Sequence, residues 1–262
     1  MKIPTFDMDE YAQMQKAVEE SGIVLQVELE LHYNPVVCRM KQLIAEKAAG
    51  EMCAFNATNI TLSPIWAFPW QGVPEKSYGK RVPVGAGSGK FRGGALCDHP
   101  HIFDLIREVT GSEFELIYAK VAPNLRPELE VEDMLAVVGR MKNGVVFSLD
   151  PSWSRAENHL KVPGPGWEVF PKRMEVNVVV HGTGGSVFTD CFGPNTYHNG
   201  APENKYTVQY TYFDEWVGLI DEFVENIRLR RKPKINLDWH KNTICAMNAV
   251  YDSIASGKPV RL

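Results

Sequence analysis

Apolar residues recur along the chain at two spacings, and the switches between them predict its elements. Residues 8–21 read as a helix: Met8, Tyr11, Met14 or Gln15 and Val18 share a face, Asp7 or Asp9 can cap it, and Gly22 ends it. Residues 23–31 read as a strand, with Val27, Leu29 and Leu31 facing one way and Glu28, Glu30 and His32 the other. Asn34 and Pro35 open a second helix as N-cap and first-turn residue, running to about residue 49 and stopping at Gly50. Residues 52–62 form the next strand. Residues 63–92 lose periodicity and are rich in Gly, Pro and aromatics (Trp66, Phe68, Trp70, Tyr78), as expected of a lid or an oligomer arm. Ile102, Phe103, Leu105, Ile106 and Val109 then mark a helix closed by Gly111.

Strands follow at 113–121, 134–141 and 144–149, the last two joined by the Asn143-Gly144 turn. Residues 153–167 are a second irregular stretch. Met174, Val176, Val178 and Val180 alternate along a strand at 173–181, and Gly182-Thr183-Gly184-Gly185 turns it into 186–189. Residues 206–212 suit an edge strand, and two helices, 213–231 and 238–256, end the chain at Gly257. The expectation is an α+β fold: one open, mostly antiparallel sheet of six or seven strands with helices on one face. With no internal repeat and no clear linker, residues 1–262 are expected to form one domain carrying an insertion at about 63–92.

Composition narrows the function classes. An apolar share of 44% is ordinary for a globular chain, and a net charge of −4 gives no general attraction for nucleic acid or an anionic membrane. The basic run Arg228, Arg230, Arg231, Lys232 and Lys234 closes a predicted helix, where it complements the helix dipole. No apolar run approaches the roughly 18 residues of a membrane span. Met1-Lys2-Ile3-Pro4 is no signal peptide, and five scattered cysteines without CxxC read as reduced thiols, so a cytoplasmic protein is expected.

The candidate chemistry concentrates between Gly93 and Leu105. Asp98, His99, His101 and Asp104 put four ionisable side chains within seven residues at a helix start, where a neutral imidazole suits proton transfer and a carboxylate suits either chemistry or capping. Glu28, Glu30 and His32 could line a pocket or meet water. Together with Asp98, His99 and His101 they also form a possible Zn²⁺ or Mn²⁺ ligand set, although their spacing favours direct hydrogen bonding to a substrate. The Gly182–Gly185 run is not a phosphate loop, because it joins two strands and no Lys follows.

Four features in order make the chain resemble the substrate-side domain of the Gfo/Idh/MocA oxidoreductases. They are the first helix, strand and Asn34-Pro35 series; Gly93-Gly94 leading to Asp98, His101 and Asp104; Val131-Glu132-Asp133 before the Lys142-Asn143-Gly144 hairpin; and the Gly182–Gly185 turn with the 246–262 tail. The resemblance implies a dihydrodipicolinate-reductase-like C-terminal domain, a sugar or polyol substrate, and NAD or NADP as the redox carrier. It implies Lys2, Asp98 and His101 as catalytic residues, with Glu30, His32, Asn34, Arg92, His99 and Asp104 as substrate contacts. Lys2-Ile3-Pro4 replaces the family's Lys-Pro, and the histidines stand one and three residues after Asp98 rather than four.

No GxGxxG follows an N-terminal strand, and Gly85-Ala86-Gly87-Ser88-Gly89 has no βαβ unit around it. The nucleotide half is therefore expected outside this chain, in a Rossmann-domain partner or lost, with a homo-oligomer formed through the sheet face. Two other functions fit the residues: a cofactor-independent or metal-assisted carbohydrate lyase or isomerase, and a non-catalytic assembly module.

Overall fold

The computed structural model describes residues 3–62, 82–83, 91–127, 129–155, 175–193, 195–199, 205–207 and 214–262. Within them the chain runs α1 (Met8–Ser21), a 3₁₀ turn (Glu30–Tyr33), α2 (Pro35–Ala45), β1 (Met52–Leu62), β2 (Val82–Pro83), β3 (Phe91–Arg92), α3 (Gly94–Asp98) and α4 (His101–Thr110). It continues through β4 (Phe114–Val121), β5 (Leu135–Met141), β6 (Val146–Arg155), β7 (Glu175–Gly182), β8 (Gly185–Asp190), β9 (Asn195–His198) and β10 (Lys205–Thr207). Helices α5 (Asp214–Leu229) and α6 (Leu237–Ser256) and strand β11 (Val260–Arg261) complete it. Nine of these strands make one open sheet in the order β10-β9-β8-β7-β1-β6-β5-β4-β11, and β2 pairs with β3 apart from it.

Alternation builds the sheet's two faces. Phe55, Ala57, Val137, Phe147, Leu149, Val176, Val178, Val180 and Val187 point inward and are buried. Helices α2, α4 and α6 cover that face, against β8, β1 and β4 respectively. Each fully buried Leu, Val or Phe contributes on the order of 2 kcal/mol to this packing. On the other face Val138 and Val146 stay exposed, and Asn56, Thr58, Ser148, Asp150 and Asn177 line a shallow depression of about 290 Å³.

The sheet is antiparallel except at its centre, where β1 and β6 run parallel, Ala54 beside Val146 through Asn59 beside Pro151. Their C-terminal ends therefore meet at one edge of the sheet. The α3–α4 segment reaches this edge, with α3 against β6 and α4 against β1.

The strand expected at 23–31 is not one. Val27 N–H donates to the Ile235 carbonyl (2.8 Å), and from Glu30 the chain coils into the 3₁₀ turn. Val27, Leu29 and Leu31 are buried, so the two-residue period reports an extended segment laid on the core rather than a ladder. Helix α2 ends at Ala45, short of the expected 49, with Lys47 and Gly50 at positive φ. Trp153, assigned from sequence to an irregular stretch, continues β6. Strands β9 and β11 were not expected. The insertion assigned to 63–92 lies outside the described residues, apart from β2 and β3.

Candidate functional site

The site is organised by a break in what reads as one helix. Gly94 sits at φ +82°, and a Cβ there would lie 2.5 Å from the Glu132 Cδ, so only glycine lets α3 start against Glu132. Ala95 N–H then donates to the Glu132 carbonyl (3.0 Å). Five residues later Pro100 excludes helical angles from the residue before it, and His99 takes φ −117°, ψ 50°. Helix α4 restarts at His101 and ends at Gly111 in the left-handed region.

The break sends the polar side chains in two directions. Asp98 and His99 reach the shared strand edge: Trp153 Nε1 donates to Asp98 Oδ2 (3.0 Å), and His99 Nε2 lies 3.3 Å from Thr61 Oγ1. His101, Asp104 and Glu108, spaced three and four, share a face of α4 turned toward the 3₁₀ turn. There His101 Nδ1 lies 3.4 Å from Glu30 Oε2, His32 Nε2 hydrogen-bonds Asp104 Oδ2, and His32 Nδ1 lies 3.9 Å from Glu108 Oε1. Helix and turn thus exchange an acid and an imidazole in each direction.

Asp104 is the hub of this layer. Its Oδ1 accepts from Trp239 Nε1 (2.7 Å) and Thr243 Oγ1 (3.3 Å). Burial alone would raise its pKa, but His32, His240 and the Trp239 hydrogen bond outweigh that and hold it at about 2. Glu108 is likewise lowered against its partial burial, by Lys234 Nζ at 2.6 Å, by His32 and by Lys41. Arg107 supports the layer from below, forked onto Glu113 (2.6 and 2.7 Å) and stacked 4.4 Å from the Trp239 ring centroid.

A second cluster holds the start of α3. Arg92 donates to Asn248 Oδ1 (3.2 and 3.1 Å) and lies 4.3 Å over the Tyr251 ring. Tyr251 Oη donates to the Gly93 carbonyl (2.5 Å) and is 3.3 Å from Glu132 Oε1. Burial pushes Glu132 up to about 7, only partly opposed by hydrogen bonds from backbone N–H groups and Tyr251 and by Arg92. Burial also pushes the Cys97 thiol up, which leaves it inert as a nucleophile at neutral pH.

The residues singled out from sequence therefore separate. Glu30, His32, His101 and Asp104 come together; Asp98 and His99 sit at the strand edge; Arg92 belongs to the Tyr251 cluster. Asn34 is fully buried, its Oδ1 capping α2 at Val36 and Val37 N–H and its Nδ2 donating to the Cys191 carbonyl (2.8 Å), so it serves the fold. Lys2 lies outside the described residues. Among the described residues no three His, Cys, Asp or Glu side chains are grouped to hold a metal ion. Sequence reading missed Glu108, although its spacing from His101 and Asp104 places it on the same helix face. It also missed Trp153, Thr61, Trp239 and Thr243, which come from distant elements.

A family model for the GFO/IDH/MocA C-terminal domain matches residues 37–188, more than half of the chain. The chain belongs to the GFO/IDH/MocA family. Solved structures of similar fold include myo-inositol 2-dehydrogenase from Lactobacillus plantarum, with TM-score 0.70, 18% identity and 98% of this chain matched to 70% of that one. Scyllo-inositol dehydrogenase from Lactobacillus casei, with bound NAD(H) and scyllo-inositol, gives TM-score 0.67 and 15% identity, over 97% of this chain and 70% of that one. A levoglucosan dehydrogenase in complex with NADH and levoglucosan gives 0.71 and 18%, over 98% and 71%. No curated protein sequence matches. The matched part is the family's C-terminal domain, and no helix among the described residues is long and apolar enough to cross a membrane.

Proposed function

We propose that this chain is the substrate-holding domain of a sugar or polyol oxidoreductase, with NAD or NADP held by a nucleotide-binding unit beyond the described residues. The observation that carries the proposal is the approach of His101 on α4 to Glu30 on the 3₁₀ turn, Nδ1 to Oε2 3.4 Å, one broken turn away from Asp98. Family membership and the sugar and inositol ligands of its structural relatives support the substrate class.

The tight glycine turn joins β7 to β8, strand to strand, and offers no helix N-terminus for a pyrophosphate. A nicotinamide held by such a nucleotide-binding unit would supply the hydride acceptor for the carbon that bears the hydroxyl. This chain's share is the proton. Glu30 beside Nδ1 favours the tautomer protonated there, which leaves Nε2 of His101 as the basic atom that takes the hydroxyl proton. Asp98, oriented by the Trp153 indole, holds a second hydroxyl. Lys2 polarises the reacting oxygen, as the resemblance implies.

Calorimetry of the isolated chain with NAD, NADP, myo-inositol and levoglucosan tests this reading. Binding of a polyol without tight binding of either nucleotide is expected. Tight nucleotide binding would contradict the external cofactor, and the absence of any polyol binding would contradict the substrate role.

A further inference from the structure

Glu132 is a carboxyl group that the proposed chemistry does not use, and it stands at the root of the Asp98–Trp153 pair. The backbone of Glu132 and Asp133 holds both halves of that pair. The Glu132 carbonyl accepts from Ala95 N–H at the start of α3 (3.0 Å), and the Asp133 carbonyl accepts from Trp153 N–H on β6 (2.7 Å). The Glu132 side chain then turns back onto α3, which has no capping side chain of its own. Its Oε1 accepts from Leu96 N–H (3.4 Å) and occupies the space that a Cβ on Gly94 would need. Asp98 closes the same five-residue helix, so a shift at its start reaches Asp98 within little more than one turn.

The Tyr251 hydroxyl has one proton and two acceptors within reach. It donates to the Gly93 carbonyl (2.5 Å) and lies 3.3 Å from Glu132 Oε1. While Glu132 is protonated, the acid can donate to the tyrosine oxygen and the tyrosine keeps Gly93, one continuous chain. Once that proton is lost to solvent, the carboxylate only accepts. It then competes with the Gly93 carbonyl for the tyrosine proton, and a charged acceptor makes the stronger bond. The positive end of α3 draws Leu96 N–H toward the carboxylate in the same step.

The titratable and charged groups that face Glu132 are Cys97 of α3, Tyr251 of α6 and Arg92 of β3. Burial pushes the Cys97 thiol and the Tyr251 hydroxyl up, so both stay neutral where Glu132 changes charge, at about pH 7. Arg92, 4.0 Å from Asp252, contributes a fixed cation. Asp98 and His99 stand at the far end of α3.

We infer that Glu132 is a positioning residue for Asp98: loss of its proton moves the Tyr251 hydroxyl from the Gly93 carbonyl to the carboxylate, frees the start of α3 and shifts Asp98 against the Trp153 indole. The consequence for substrate rests on the reading of Asp98 as the residue that holds a polyol hydroxyl; the shift itself does not.

The indole N–H resonance of Trp153, identified by its loss in Trp153→Phe, reports the contact with Asp98 without any ligand. It is followed over about two pH units either side of the Glu132 value. In the wild type it is expected to move with a midpoint near pH 7. Glu132→Gln, whose amide donates to the tyrosine oxygen as the acid does, is expected to keep the low-pH position throughout. Tyr251→Phe, which leaves a ring under Arg92, is expected to lose the movement. Calorimetry with myo-inositol is expected to show binding about fivefold weaker at the upper end of the range than at the lower, a difference that Glu132→Gln lacks. A resonance that stays still overturns the inference. So does one that moves with the same midpoint in Glu132→Gln, which would assign the movement to His99, or one that still moves in Tyr251→Phe. The expected movement in a chain that binds no polyol supports the coupling of Glu132 to Asp98 and removes the substrate role given to Asp98.

Discussion

Asp104 fastens α4 to the 3₁₀ turn and to α6 at once, through His32, Trp239 and Thr243. Its folded-state pKa lies below the ordinary carboxylate value, so the stability it contributes is present above about pH 4 and lost as pH falls toward about 2. Asp104→Asn leaves buried donors poorly matched and is expected to cost about 3 kcal/mol in urea unfolding near neutral pH. A cost under about 0.5 kcal/mol, the range of ordinary surface changes, would show that the layer is not knit through this side chain. Glu132 has the opposite sign. Its pKa is raised from 4.5 to about 7, so folding is penalised increasingly as pH climbs through that interval and the penalty is constant above it. Glu132→Gln is expected to match the wild-type melting temperature near pH 4 and exceed it near pH 8, by about 2 kcal/mol of stability. Parallel melting curves at every pH would mean that the carboxyl is well solvated.

At the scale of elements, what was legible in the sequence was whatever local chemistry decides. Asn34 and Gly111 fix helix ends, Asn143-Gly144 fixes a hairpin, and the Val176–Val180 alternation fixes β7, all without reference to distant residues. Pro100 announced that His99 would leave helical angles, but not that the helix would resume one residue later and aim His101 at Glu30. The 23–31 segment misled because an extended chain lying on a core buries every second residue just as a strand does; only a ladder partner distinguishes them, and that is nonlocal. Strands β9 and β11 are four and two residues long, too short for a period to show. Asn34 carried two readings, cap and substrate contact, and the structure shows the cap. Asn34→Ala is expected to lower stability by about 1 to 2 kcal/mol while leaving polyol affinity unchanged where the variant is folded. A selective loss of affinity would return the residue to the site.

For the whole molecule, parallel pairing of β1 with β6 inside an otherwise antiparallel sheet brings two strand ends to one edge, and α3 and α4 meet them there. That arrangement depends on contacts between segments about 90 residues apart, Ala54 beside Val146 for instance, so it could not be read from either strand alone. The family resemblance was legible because it rests on the order of motifs. The partners of each acid and imidazole were not, because they arrive from the 3₁₀ turn, β1, β6 and α6. We propose that His101 takes the proton of one carbohydrate hydroxyl and Asp98 holds a second, both from this chain. Calorimetric titration of levoglucosan and myo-inositol into the wild-type chain, Asp98→Asn and His101→Gln tests it most directly. Saturable binding to the wild type and at least tenfold weaker binding to both variants are expected, a difference of about 1.4 kcal/mol or more. Wild-type binding that both variants reproduce would contradict it.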